Sequence, residues 1–375
     1  MKRPLSLPFA IAAVIAAGAA PASAMAGEAN GHRDTTLAVY GDAPYFDKTA
    51  GSGDQKLQQS FEFKATPGFI NAINADPDVQ AVVHVGDIHS GQETCREDYD
   101  RDIFDLWKGY TEPLVYTPGD NEWSDCSKLP GQAPATNPWT NLQLVRSIFF
   151  ANPGYTLGQN PMKVTTQADV AARGNGNPDD SAFVENVNFV KGGTLFITLN
   201  LPGGSNNDAD PWASSVVTDN GLQQLTERIQ RTQADLDWLD YSFAIAQREH
   251  AIKQVVIFEQ ADMWDTADSA NVAHLAGYEP FVKSIADHTN TLAKPVLLIN
   301  GDTHTYRSDN PYSGAATKSL HPGYDVPGLH RIVVQGSAPG MEWLKLNIDS
   351  GADNGSGSTS FGPFSWTREP YSYAH

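Results

Sequence analysis

Four aspartates in this chain share one local setting, each following a glycine at the end of a short apolar run. The runs are Thr36 to Tyr40 before Gly41-Asp42, Ala81 to Val85 before Gly86-Asp87, Leu114 to Tyr116 before Gly119-Asp120, and Val296 to Ile299 before Gly301-Asp302. A β-branched or apolar run that stops at Gly-Asp reads as a buried strand handing over to a polar loop. Loops at the carboxyl ends of such strands are where open α/β sheets bind ligands. A single aspartate there is ordinarily a turn former. Four of them converging on one edge repel one another unless cations occupy the cluster. The chemistry this pattern supports is therefore metal binding, and paired divalent ions holding a phosphoryl group are a common use of it. A fifth strand, Gln254 to Phe258, ends in Glu259-Gln260. His89, two residues beyond Asp87, is a candidate for a catalytic role beside the cluster, whereas His84 sits inside its strand and reads as core.

The elements that must position these residues alternate strand and helix. Helical patterns are expected over Pro67 to Ala75, Tyr99 to Gly109, Trp139 to Phe150 and Gly221 to His250. In the last, Leu225, Ile229, Leu236, Leu239 and Phe243 form an apolar stripe, with Arg228, Arg231 and Asp235 off it. Strands over Ala182 to Val190 and Thr194 to Leu199 meet at Gly192-Gly193, a hairpin signal. Ile332 to Gln335 and Glu342 to Leu346 read as a second hairpin, and the Gly/Ser/Asn-rich stretch from Gly351 to Gly362 reads as a mobile loop. The sequence has no internal repeat. It also lacks a Gly-x-Ser-x-Gly elbow, a Walker-type loop and a His-Glu-x-x-His helix, so serine hydrolase, P-loop and zincin readings have no anchor.

Lys2 and Arg3 precede an apolar, Ala-rich run from Leu5 to Ala20, and Ala22-Ser23-Ala24 offers a small-residue cleavage site, so residues 1–24 read as a secretory signal peptide. The expected location is secreted or periplasmic. No later run is apolar for long enough to cross a bilayer. The formal charge is −19, becoming −21 without Lys2 and Arg3, and no basic run offers a phosphate-neutralising surface for nucleic acid. An acidic chain can still bind a phosphoester when cations reverse the local sign. Cys95 and Cys126 are the two cysteines, and in an exported chain they are expected to be joined. That bridge would tie the loop after Asp87 to the loop after Asp120.

Taken in order, Asp42, Gly86-Asp87, Gly119-Asp120-Asn121-Glu122, Gln260 and Gly301-Asp302-Thr303-His304 resemble the calcineurin-like metallophosphoesterases. The motif order of that family runs Asp-x-His, Gly-Asp, Gly-Asn-His-Asp/Glu, a lone His after a strand, and Gly-His-x-His. The wording from Tyr116 to Trp123, with Asp125-Cys126 following, is similar to a secreted, histidine-depleted subgroup. The resemblance implies an α/β fold over residues 33–375, a four-layer sandwich of two mixed β-sheets flanked by helices. It implies hydrolysis of a small phosphomonoester or phosphodiester by a metal-activated water. One cation site would comprise Asp42, Asp87 and His304, and another Asp87, Asp120, Asp302 and Gln260. Pro44, Asn121, Gln260 and Asp302 each replace a family histidine. Asn121 stands in the catalytic histidine's place and cannot protonate a leaving group. Two ions are expected, and oxygen-dominated ligation favours Mn, Mg or Ca over Zn. Arg307 is placed to grip a phosphate oxygen, and the loop Asn200 to Asn207, Asn206 included, to shape the substrate entrance. The competing reading is a binding module that keeps the fold and has lost turnover with its histidines.

Overall fold

The first strand, β1 (Thr35–Tyr40), is buried at every position, as expected of a central strand covered on both faces. The computed structural model describes residues 34–45, 60–128, 135–267, 272–314, 317–337 and 340–373. The segment read as a signal peptide lies outside the described residues. Those described belong to a single compact unit, Arg33–His375. Strands follow as β2 (Val79–His84), β3 (Leu114–Tyr116), β4 (Thr165–Thr166), β5 (Val187–Lys191), β6 (Thr194–Thr198) and β7 (Gln254–Phe258). The remainder are β8 (Val296–Asn300), β9 (Arg307–Asp309), β10 (Leu329–Val333), β11 (Met341–Ile348), β12 (Ser360–Phe361) and β13 (Phe364–Tyr371).

Two mixed sheets result, ordered β12-β13-β11-β1-β2-β3 and β4-β5-β6-β7-β8-β10-β9. Their inner faces share one apolar layer, with Leu37, Val83 and Leu346 of the first sheet against Phe196, Val256 and Ile299 of the second. Helices Phe61–Asn74, Glu97–Trp107 and Pro138–Phe149 cover the outer face of the first sheet through Phe69, Ile103 and Val145. Helices Leu222–Arg248 and Glu279–Leu292 cover the second through Leu239, Phe243 and Ile285. The architecture is therefore helix, sheet, sheet, helix, the four-layer α/β arrangement expected from the sequence. No described helix is long and apolar enough to cross a membrane.

Three local expectations are overturned. The segments around Ile332 and Glu342 are not a hairpin: β10 pairs in parallel with β8, whereas β11 pairs antiparallel with β1 and β13 in the other sheet. Strand alternation specifies a face, not a partner, and the intervening Gly336-Ser337 segment crosses between sheets. The strand expected from Ala182 begins only at Val187, because Pro178–Ala182 forms a 3-10 turn. The stretch from Gly351 to Gly362 is a loop as far as β12, with backbone hydrogen bonds from Asn354 N–H to Gly362 O and from Gly362 N–H to Gly355 O. In the long helix Leu225 and Ile229 are 43 % and 58 % exposed, while Arg231 and Asp235 are fully buried. The buried face is rotated by about one residue because the helix packs against a polar turn, Gly203–Asn207, whose amides need charged partners.

Candidate metal centre

Three of the four Gly-Asp exits turn sharply enough that the aspartate takes the left-handed backbone region, the exception being Asp120: φ is 49° at Asp42, 61° at Asp87 and 75° at Asp302, with His304 at 59°. Asp tolerates this region better than most residues, yet each such residue still costs on the order of 1–3 kcal/mol. Of nine non-glycine residues with positive φ among the described residues, seven lie here or in the adjoining turn at Ser205, Asn206 and Asn207. Backbone strain is thus concentrated at one place, where the carboxyl ends of β1, β2 and β8 meet.

Asp42 is fully buried, Asp87 is 2 % exposed, and His304 keeps a third of its side chain accessible. One donor atom from each lies within 4.8 Å of the others, a group that could hold a metal ion. Asp42 Oδ1 accepts from the Asp302 N–H at 2.9 Å and lies 3.4 Å from His304 Nε2. Its other oxygen, Oδ2, is buried without a hydrogen-bond partner. A buried carboxylate oxygen left unpaired is costly unless something positive meets it. Gly301 and Gly119 permit this crowding, since a Cβ at either would collide with the carboxylate of Asp42 or Asp87.

Asp87 accepts the Tyr45 hydroxyl proton at 3.0 Å and a Gln260 amide proton at 3.1 Å, both on Oδ2, and the Asn121 N–H at 3.2 Å on Oδ1. Burial, then the nearby Asp120, Glu122, Asp42 and Asp302 charges, push its carboxyl well above the usual range. Desolvation likewise raises Asp302 and Asp120, and Glu122 rises to about 7. Cations would relieve this repulsion, so donor set, orphaned oxygen and electrostatics all fit a divalent ion at Asp42, Asp87 and His304.

The other sequence candidates fall into distinct places. Asp120 accepts from Gln260 Nε2 at 3.1 Å, and Asp302 Oδ2 accepts the Asp262 N–H at 3.0 Å. Asn121 spends both amide protons, on Tyr45 Oη and on the His89 carbonyl, each at 2.9 Å. The His89 ring is buried against the Tyr99 edge, with burial lowering its pKa to about 4. Asn206 is 1 % exposed and bonded to Thr232 and Arg231, so its amide faces the helix rather than solvent. Arg307 is partly exposed, with Nη2 on Thr266 Oγ1 and Nη1 lacking an acceptor 4.0 Å from Asp262. Cys95 and Cys126 form the expected disulfide, Cα atoms 5.6 Å apart, linking the loops after Asp87 and Asp120.

Several supports were not singled out from sequence. Glu62, on the helix Phe61–Asn74, accepts the Tyr45 N–H at 2.6 Å and the Ser337 hydroxyl, pinning the loop that carries Asp42. Ser337 N–H also bonds the Asp42 carbonyl at 2.9 Å, so the segment crossing between sheets forms part of the site floor. These contacts span up to 295 residues of chain (337 − 42) and no local signal marks them.

No family model matches the chain, and no curated protein matches it. Among solved structures, a purple acid phosphatase from yellow lupin (Lupinus luteus) seeds is similar, with TM-score 0.44 and 11 % identity over 85 % of this chain. The chain spans about half, 50 %, of the length of that phosphatase.

Proposed function

We propose that this chain is a metal-dependent phosphoester hydrolase of the calcineurin-like type, acting outside the cytoplasm on small substrates. The carrying observation is the convergence of Asp42, Asp87 and His304 from two sheets, with Asp42 Oδ2 buried and unpaired. A divalent cation held by these three would supply Lewis-acid polarisation of a phosphoryl oxygen and a nucleophile at neutral pH. Two carboxylates against one imidazole favour Mn, Mg or Ca over Zn. Tyr45 and the Asn121 N–H hold the Asp87 carboxylate in one orientation. The partly exposed His304 marks the solvent side, and Arg307, partly exposed but with Nη1 buried 4.0 Å from Asp262, would grip a phosphate oxygen only by turning from that carboxylate. Export is supported by the N-terminal residue pattern and the disulfide.

One absence shapes the substrate class. Asn121 has no proton to give, its two amide protons are already engaged, and His89 is turned into the core. General acid catalysis is ordinarily worth about 10²–10⁴-fold, so substrates with good leaving groups are favoured: aryl phosphates and phosphoanhydrides. The same observation favours a second reading, a cation-dependent binding protein without turnover. Assaying chelated protein on aryl phosphates, phosphodiesters and nucleotides with Mn, Mg, Ca or Zn returned in turn separates them. Cation-dependent hydrolysis supports the enzyme; cation binding with no hydrolysis supports the binding module.

A further inference from the structure

The family resemblance in the sequence implies two cations, and the second position, around Asp120, is where this chain departs from that expectation. Gln260 is fully buried at the end of β7. Its Nε2 donates one proton to Asp87 Oδ2 and one to Asp120 Oδ1, both at 3.1 Å. Its Oε1 accepts the Gly203 N–H at 2.7 Å. Reversing the amide would set Oε1 against two carboxylates and the NH₂ group against a backbone donor, so every contact would become repulsive. The orientation is therefore fixed by its partners. Gly86 at φ 94° completes the lock, because a Cβ there would stand 2.8 Å from Gln260 Cβ.

A glutamine ligand presents its oxygen to a cation, and here that oxygen is taken. What lies between the Asp87 and Asp120 carboxylates is the positive end of an amide dipole. Donor atoms of Asp87, Asp120 and Asp302 do not form a further three-donor group within 4.8 Å among the described residues, in contrast to Asp42, Asp87 and His304. One Asp302 oxygen, Oδ2, accepts the Asp262 N–H. We infer that this chain holds one divalent cation, at Asp42, Asp87 and His304, and that the Gln260 amide, oriented by the Gly203 N–H, occupies the second cation's place. The inference rests on the metal-centre reading above and narrows it: Asp120 becomes a partner that positions Gln260 rather than a ligand.

The test is calorimetric titration of chelator-stripped, full-length protein with MnCl₂, on wild type and Asp120→Asn, with thermal melts to establish that both are folded. The inference expects one Mn per chain in wild type, and one in Asp120→Asn with affinity within about tenfold, since Asn Oδ1 still accepts from Gln260. Two Mn per wild-type chain would overturn the inference and leave the metal-centre reading standing. One in wild type and none in folded Asp120→Asn would also overturn it, by making Asp120 a ligand. No binding to folded wild type would overturn the metal-centre reading and the inference with it. Should Asp120→Asn fail to fold, the wild-type stoichiometry decides alone.

Discussion

Replacing Glu122 by Gln removes a buried acid directly beneath the carboxylate cluster, and its effect on stability should depend on pH in a calculable way. Glu122 is 1 % exposed. Its Oε1 accepts the Tyr116 hydroxyl at 2.8 Å and the Ile88 N–H at 3.1 Å, while Oε2 has no partner. Burial, only partly offset by those two hydrogen bonds, raises its pKa from 4.5 to about 7. The folded protein thus retains a proton that the unfolded chain has released between those values. This contribution is fully present below pH 4.5 and is lost as pH rises through about 7. The shift, 7 − 4.5 = 2.5, corresponds to about 3 kcal/mol at 1.36 kcal/mol each. Gln cannot titrate, and the amide it places at the unpaired Oε2 position adds a pH-independent cost of about 1–3 kcal/mol. Urea denaturation of both proteins in chelator, from pH 4.5 to 8, reads the difference, to which relief of Asp87 and Asp100, both raised by the Glu122 charge, adds in the same direction. The variant should gain about 3 kcal/mol on wild type across that range. Parallel stability curves, differing by a constant, would refute the reasoning.

Asp87→Asn should abolish cation binding and lower any phosphoesterase activity at least about a thousandfold, while the melting temperature in chelator is unchanged or higher, since one charge leaves a self-repelling cluster. A metallated, active Asp87→Asn protein, or one that is unfolded, would count against its role. Joint Cys95→Ser and Cys126→Ser replacement should cost about 3.5–4 kcal/mol in denaturation, the chain-entropy value for a separation of 31 residues; a loss under about 1 kcal/mol would show that the loops are held by other contacts. Across a series of phosphate esters, rates should fall steeply as the leaving group becomes more basic, with 4-nitrophenyl phosphate exceeding an alkyl phosphate by about 10²–10⁴-fold. A flat series would mean that an acid has been overlooked.

The strand exits were legible because they are local: an apolar run and a Gly-Asp pair announce both the strand and the turn that aims the carboxylate. The layered α/β architecture was what the resemblance of these blocks to a known family implied. Partnership was not legible, since β10 and β11 each read correctly as strands yet belong to different sheets, and hydrophobic alternation carries no information on that choice. The long helix misled because its buried face is polar at the N-terminal half: Glu227, Arg231 and Asp235 satisfy the Gly203–Asn207 turn and its surroundings, a demand set by a segment some 20 residues earlier. Gln260 shows the same limit at the site. As a residue type it can ligate or donate, and the choice is made by the Gly203 N–H, 57 residues away in sequence. Glu62 and Ser337 support Asp42 through tertiary contacts alone.

The most direct test of the account is hydrolysis of 4-nitrophenyl phosphate by full-length protein before chelation, after chelation, and after return of Mn, alongside Asp87→Asn and His304→Ala under the same conditions. The account predicts activity lost on chelation and restored by Mn in wild type, and absent from both variants at every stage. Hydrolysis that persists in chelator, or that survives in Asp87→Asn, would contradict it.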